Sequence, residues 1–184
     1  MAPTLDGRTR MSQMAAVELA HHEALSGRLR ELGADPAAAM TPFVAALETY
    51  HQLTTPSTWL ESVVKAYVGD GMAADFYREV AQFVDPQTQE IINAALTQGG
   101  RAEFAVAEVE AAVAQNPAAS GRLALWARRL VGEAISQTQH VLADRDALMV
   151  LLMTGTGDLT GVAGLISRIT DRHEERMASL GLST

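Results

Sequence analysis

The chain reads as an all-α protein, an antiparallel helical bundle filling a single domain from residue 1 to residue 184, and three observations say so. Apolar residues recur at three- and four-residue spacing over long segments. Gly and Pro punctuate those segments. Alanine, the best helix former, is abundant throughout. Nothing in the chain resembles a strand-rich fold. Helix follows helix through short connections, which is how an antiparallel bundle is strung.

The first helix is predicted from about Asp6 to Leu32, stopping at Gly33. Asp35-Pro36 then reads as an N-cap followed by a first-turn proline. A second, shorter helix carries Phe43, Leu47 and Tyr50, with Pro42 dividing it from a preceding turn. Thr54-Thr55-Pro56-Ser57 is a connection. The third helix, from Thr58 to about Val84, sets Leu60, Val63, Val64, Tyr67, Gly71, Ala74 and Tyr77 near one face. Asp85-Pro86 repeats the cap-and-proline signal and opens a fourth helix to about Gln115. Gly99-Gly100 falls in its middle and costs on the order of 2 kcal/mol relative to alanine, which predicts a kink or a close helix contact. Asn116-Pro117 starts a fifth helix carrying Leu123, Trp126, Leu130, Ile135 and Val141 and continuing through Leu152. Thr154 to Asp158 is a loop, and the last helix runs from Leu159 to about Leu180.

Composition narrows the function. There are no cysteines, which excludes disulfides, thiol catalysis and thiolate metal sites, and fits the cytoplasm. Any metal site would draw on His, Asp and Glu, which suit iron, manganese or zinc. No apolar run approaches the ~20 residues a membrane span needs, and no apolar segment follows the arginines of the N-terminus as a secretory signal requires. A net charge of −8 weighs against a broad nucleic-acid surface. Arg122, Arg128 and Arg129 form a local basic cluster best read as pairing with acids and capping helix ends. Lys65 is the only lysine beside thirteen arginines.

The stretch that carries chemistry is Met11 to Leu32. At helical spacing Met11, Met14, Glu18, His21, Leu25, Leu29 and Leu32 share one stripe, with two ionisable residues at its centre. A buried carboxylate costs several kcal/mol, roughly, unless a cation or metal compensates it. Glu18 and His21 are one turn apart, so both side chains can converge on one point. Three readings stay open: half of a metal site, a hydrogen-bonded polar pair, or a face turned to water. Asp70, between Gly69 and Gly71 and one turn after Tyr67, can reach a bundle centre past its small neighbours. Asp75, Glu79 and Glu103 read as surface charge by default, with His22 peripheral. His173, within Asp171-Arg172-His173-Glu174-Glu175-Arg176, reads as part of a solvated face of i,i+3 and i,i+4 pairs. No phosphate loop, nucleophile elbow or triad is present, and no catalytic residue is assigned.

A resemblance rests on several of these stretches. They are Ala16-Val17-Glu18-Leu19-Ala20-His21, Pro42 to Leu47, Trp59 to Gly71, Ala74 to Val80, Ala102 to Val106 and Gly121 to Ala134. In them the chain resembles the ferritin-like family related to the bacterial tRNA methylthio-isopentenyladenosine hydroxylase, and more closely its actinobacterial hydroxylase-like branch. The resemblance implies a ferritin-like bundle with additional C-terminal helices that binds two irons and activates dioxygen. It implies Glu18, His21 and Asp70 as surviving metal ligands and iron as cofactor. It also implies tRNA as a nucleic-acid partner, against which the acidic balance weighs.

Two departures shape the functional expectation. The family's first helix, which carries a metal carboxylate, has no counterpart ahead of Glu18. Met1 to Asp6 matches the connection that would follow it, so the chain either starts at an internal methionine or is a shortened member. The last Glu-x-x-His falls where this chain has Gln98-Gly99-Gly100-Arg101, and a guanidinium cannot bind a cation. Arg101 is therefore expected to place a fixed positive charge where metal would sit, binding Glu18 and Asp70. The two functions expected are an oxygen-activating hydroxylase with an incomplete site, and a metal-free structural or interaction module. In the second, the groove left by the lost helix would be covered by a second copy, giving a homodimer.

Overall fold

A computed structural model describes residues 2–97 and 100–182, and every element in them is helical. The helices are α1 (Leu5–Glu31), α2 (Pro36–Met40), α3 (Val44–Leu53), α4 (Trp59–Ala81), α5 (Pro86–Ala95), α6 (Arg101–Gln115), α7 (Ala118–Asp144), α8 (Asp146–Thr156) and α9 (Leu159–Ser179), with a single 3₁₀ turn at Thr41–Phe43. The predicted caps form. Asp35 accepts from the Ala38 amide at 2.7 Å and Asp85 from the Thr88 amide at 3.1 Å, each followed by its first-turn proline. Thr58 caps α4 in the same way. Gly33, at φ +79°, closes α1.

Three boundaries differ from expectation. The predicted fourth helix is two helices, α5 and α6, because Gly100 adopts a left-handed φ of +76° and opens α6 rather than continuing α5. Gln98 and Gly99 lie outside the described residues. The fifth helix stops at Asp144: Arg145 turns out at φ −127°, ψ 81°, and its guanidinium reaches the Pro42 carbonyl at 3.0 Å. Helix α8 resumes at once and takes in Thr154 to Thr156, read as loop, until Gly157 at φ +91° ends it.

Helix α4 is the axis of the bundle, with α5, α6, α7 and α9 packed around it. Val64, Val68, Val109, Leu123, Leu130, Leu152, Leu165 and Met177 form one buried cluster drawn from α4, α6, α7, α8 and α9. Helix α3 runs antiparallel to α4, its Tyr50 and Thr54 lying beside Gly69 and Lys65. It also runs antiparallel to α7, since Arg129 reaches the Leu53 carbonyl while Arg145 reaches that of Pro42. Helices α4 and α7 therefore run the same way, with α3 beside them. Trp126 Nε1 donates to the Glu61 carbonyl at 2.9 Å, and Trp59 Nε1 to Glu108 at 2.6 Å, so each indole anchors a helix pair.

Helix α9 docks on α4 through charge. Asp75 and Glu79, one turn apart, were expected on the surface; both are buried, at 2% exposure each. They face a row of arginines at the same spacing. Arg176 reaches Asp75 at 2.6 Å, Arg168 grips Glu79 at 2.7 Å, and Arg172 reaches Glu79 at 2.9 Å. Arg78 adds a 3.0 Å bond to Asp75. His173 is likewise buried, at 5%, and not part of a solvated face. The charge pairs predicted within α9 are made across to α4 instead.

Candidate functional site

The apolar stripe of α1 is less buried than its pattern predicts. Met11, Leu25 and Leu32 remain exposed, and Met14, His21 and Leu29 are half-buried. Glu18 keeps 48% of its side-chain surface in water. The reason is lateral. The C-terminal half of α1 is tied to α5, with Arg28 bonded to Thr88 at 2.8 Å and to Asp85 at 3.0 Å. Its N-terminal half borders an open cleft of about 240 Å³ against α4 and α6, walled by Met14, Trp59, Val63, Tyr67 and Phe104.

Charge gathers along that cleft. Glu18, Asp70 and Arg101 all line it. The Arg101 guanidinium donates to the Glu18 carboxylate and stands 3.8 Å from that of Asp70. His21 Nδ1 is 3.5 Å from the other oxygen of Glu18, short of a formed hydrogen bond. The structure thus brings all four predicted residues into one neighbourhood, from three helices. Arg101 is the first residue of α6, directed there by the left-handed Gly100. A cation at a helix N-terminus opposes the helix dipole, so α6 begins on an unfavourable charge that Glu18 offsets.

Asp70 shows how the cleft treats a carboxylate. It keeps 59% of its side-chain surface open and lines both this cleft and a neighbouring groove. Burial pushes its carboxyl above the usual range, Arg101 pulls it back down, and Glu18 raises it again. Beside it, Tyr50 is pushed up to about 12, first by burial and then by the Asp70 charge. Tyr50 Oη is buried without a hydrogen-bond partner and lies where a Cβ on Gly69 would come within 2.9 Å. Gly69 is what lets the ring approach.

Among the described residues, no three His, Asp or Glu side chains converge in a way that would hold a metal ion. The chemistry of the cleft is that of a charge cluster: two carboxylates, one permanent cation and an imidazole against an apolar wall.

Asp70 also links this cleft to a second, larger groove of about 730 Å³ on the other side of α4, toward α3 and α7. The sequence reading missed that groove, and it missed the arginine row of α9. The second carried a legible signal, since Arg168, Arg172 and Arg176 repeat at the four-residue step that separates Asp75 from Glu79. The groove carried none, because a stripe that lines a void has the periodicity of a stripe that is packed.

No curated protein matches the chain. A family model described as a ferritin-like domain of actinomycetes matches residues 1–155, which takes in α1 through most of α8 and leaves α9 outside. On that match, and on the all-helical bundle that accompanies it, the chain belongs to this family of ferritin-like domains.

Proposed function

We propose that this protein is a metal-independent ferritin-like binding module, in which Arg101 supplies the positive charge that an ion would supply in a metal-loaded bundle. One observation carries the reading: the guanidinium is already seated on Glu18 with Asp70 at 3.8 Å. The donor set does not fit an iron pair. Glu18 and His21 share one helix, Asp70 faces them from another, and a guanidinium with no acceptor atom lies between. A ferritin-type di-iron site draws carboxylates from each of two helices and a Glu-x-x-His from each of the other two. The hydroxylase activity implied by the resemblance to the tRNA-modifying enzymes is therefore not part of this proposal. Neither is tRNA, for which a net charge of −8 offers no footprint.

The test is metal content. Wild-type protein and its Glu18→Ala variant are purified after growth with iron and, separately, with manganese, and assayed by elemental analysis. The proposal expects less than stoichiometric metal in both, and an Arg101→Ala variant that unfolds at lower temperature than wild type. One equivalent or more of metal in the wild type that is lost in Glu18→Ala overturns it and restores the metalloenzyme.

A further inference from the structure

The smaller cleft has unlike ends. Its floor is a stripe of α4 running from Trp59 through Val63 and Ala66 to Asp70, about 16 Å at 1.5 Å per residue. Helix α1 adds Met11, Met14 and Glu18, and α6 adds Arg101 and Phe104. Trp59 bonds to Glu108, further along α6, while Arg101 at the start of α6 stands by Glu18 and Asp70. Helices α4 and α6 therefore run antiparallel, with the charges gathered at one end of the cleft and the rings set toward the other. Trp59 and Phe104 meet edge to face, their centres 6.3 Å apart and their planes at 70°, and form an aromatic corner.

The charged end does not balance. Two carboxylates face one guanidinium, which leaves one negative charge uncompensated. Arg101 donates to one oxygen of Glu18, and the other oxygen stands 3.5 Å from His21 Nδ1 without a formed bond. Asp70 accepts a hydrogen bond from none of the described residues; the cation paired with it, Arg101, is 3.8 Å away. Arg10, 5.9 Å from the centre of the Phe104 ring, leaves the balance unchanged because Asp6 pairs with it at 3.1 Å. His21 and His51 add charge only when protonated. An anion entering the cleft meets like charge, and a neutral molecule leaves the excess where it is. An ammonium cancels it and gives the carboxylates the donors they lack, with aromatic faces beside it.

We propose that this cleft binds a small arylalkyl amine, its ammonium between Glu18 and Asp70 and its apolar body against Trp59 and Phe104. The volume of about 240 Å³, just under the range of drug-sized ligand sites, keeps the occupant small. Such binding rests on the metal-independent reading above, since a metal ion would claim the same carboxylates.

The test titrates the full chain with 2-phenylethylamine by calorimetry, after its metal content has been measured. 2-Phenylethanol and phenylacetate serve as neutral and anionic probes with the same ring. Saturable one-to-one binding of the amine, tighter than either other probe by about tenfold or more, supports the proposal. Asp70→Asn is expected to bring the amine down to the level of the alcohol. Because Asp70 lines both cavities, filling variants locate the site. Ala15→Phe, at an exposed position of α1 on the cleft, is expected to abolish binding, and Ala73→Phe, in the larger groove, to leave it intact. Circular dichroism checks that each variant is helical, and Met11→Trp is the second cleft-filling variant should Ala15→Phe not fold. Absence of saturable binding overturns the proposal, as do equal binding of the three probes and an amine preference that survives Asp70→Asn. So does binding that is lost in Ala73→Phe and kept in Ala15→Phe. Stoichiometric metal in the wild type overturns the metal-independent reading and this site with it, whereas metal-free protein that ignores the amine overturns the site alone.

Discussion

Asp70 is the residue at which position and chemistry conflict most. Its carboxyl is raised by burial, with Arg101 at 3.8 Å and then His51 offsetting it. A group whose folded pKa is raised contributes stability at low pH and loses it as the pH rises through the folded value. At neutral pH the ionised carboxylate is thus a cost to the fold. Asp70→Asn is expected to raise the thermal midpoint, measured at pH 7 by calorimetry. The carboxylate is more than half open to water, so the gain is under about 1 kcal/mol. At about 2–4 °C per kcal/mol for a chain of this size, that is a shift of a few degrees at most. At pH 3, where both forms are neutral, the difference should vanish.

The contact between α4 and α9 is the element pair whose energetics are most exposed to mutation. Asp75 keeps 3% of its side-chain surface, and its partners Arg78, Arg172 and Arg176 stand around it. Removing one member of a buried pair strands the others, at about 3–5 kcal/mol. Asp75→Ala is expected to lose that much in urea unfolding, and to loosen α9 first in hydrogen exchange. Gly71 belongs to the same contact. A Cβ there would lie 2.7 Å from both Cδ and Nε of Arg176, so the arginine that reaches Asp75 rests directly on the α4 backbone. Gly71→Ala should destabilise, against the gain of about 1 kcal/mol that alanine brings to a helix interior. Gly132 on α7 meets nothing within 4 Å, and Gly132→Ala should show the gain. Equal effects at the two positions would mean that Arg176 does not depend on its seat.

The molecule as a whole should lose stability in two stages as pH falls. His173 is held below its ordinary value by burial and then by the charge of Arg176. The unfolded chain therefore takes up a proton near its ordinary value of 6.5 that the folded chain refuses, and stability drops as pH passes below it. The slope is limited to one proton, about 1.4 kcal/mol per pH unit. The second stage belongs to the carboxylates. Glu79 is lowered by its hydrogen bonds from Arg168, and Asp85 is lowered to about 2 by its bonds from Thr88. Both stabilise the fold above the ordinary carboxylate range, and both contributions fade as pH falls through it. Midpoints measured from pH 8 to pH 3 should show the first decline in wild type and lose it in His173→Asn. No single helix among the described residues is long and apolar enough to cross a membrane.

Local chemistry wrote much of this fold into the chain. Asp35, Thr58 and Asp85 start helices because a short acceptor next to a free amide needs no tertiary help. Gly33 stops one for a similarly local reason. Helical spacing put Glu18 and His21 one turn apart, and the structure sets Asp70 and Arg101 beside them. Depth was not legible. Periodicity says that Met11, Glu18 and Leu25 share a face, but only a neighbouring helix decides whether that face is covered, and here α1 leans on α5 and leaves it half open. The same ambiguity hid Asp75, Glu79 and His173. Charge pairs at i,i+4 on one helix look identical whether water or another helix lies beyond them, and long-range packing supplied the second helix.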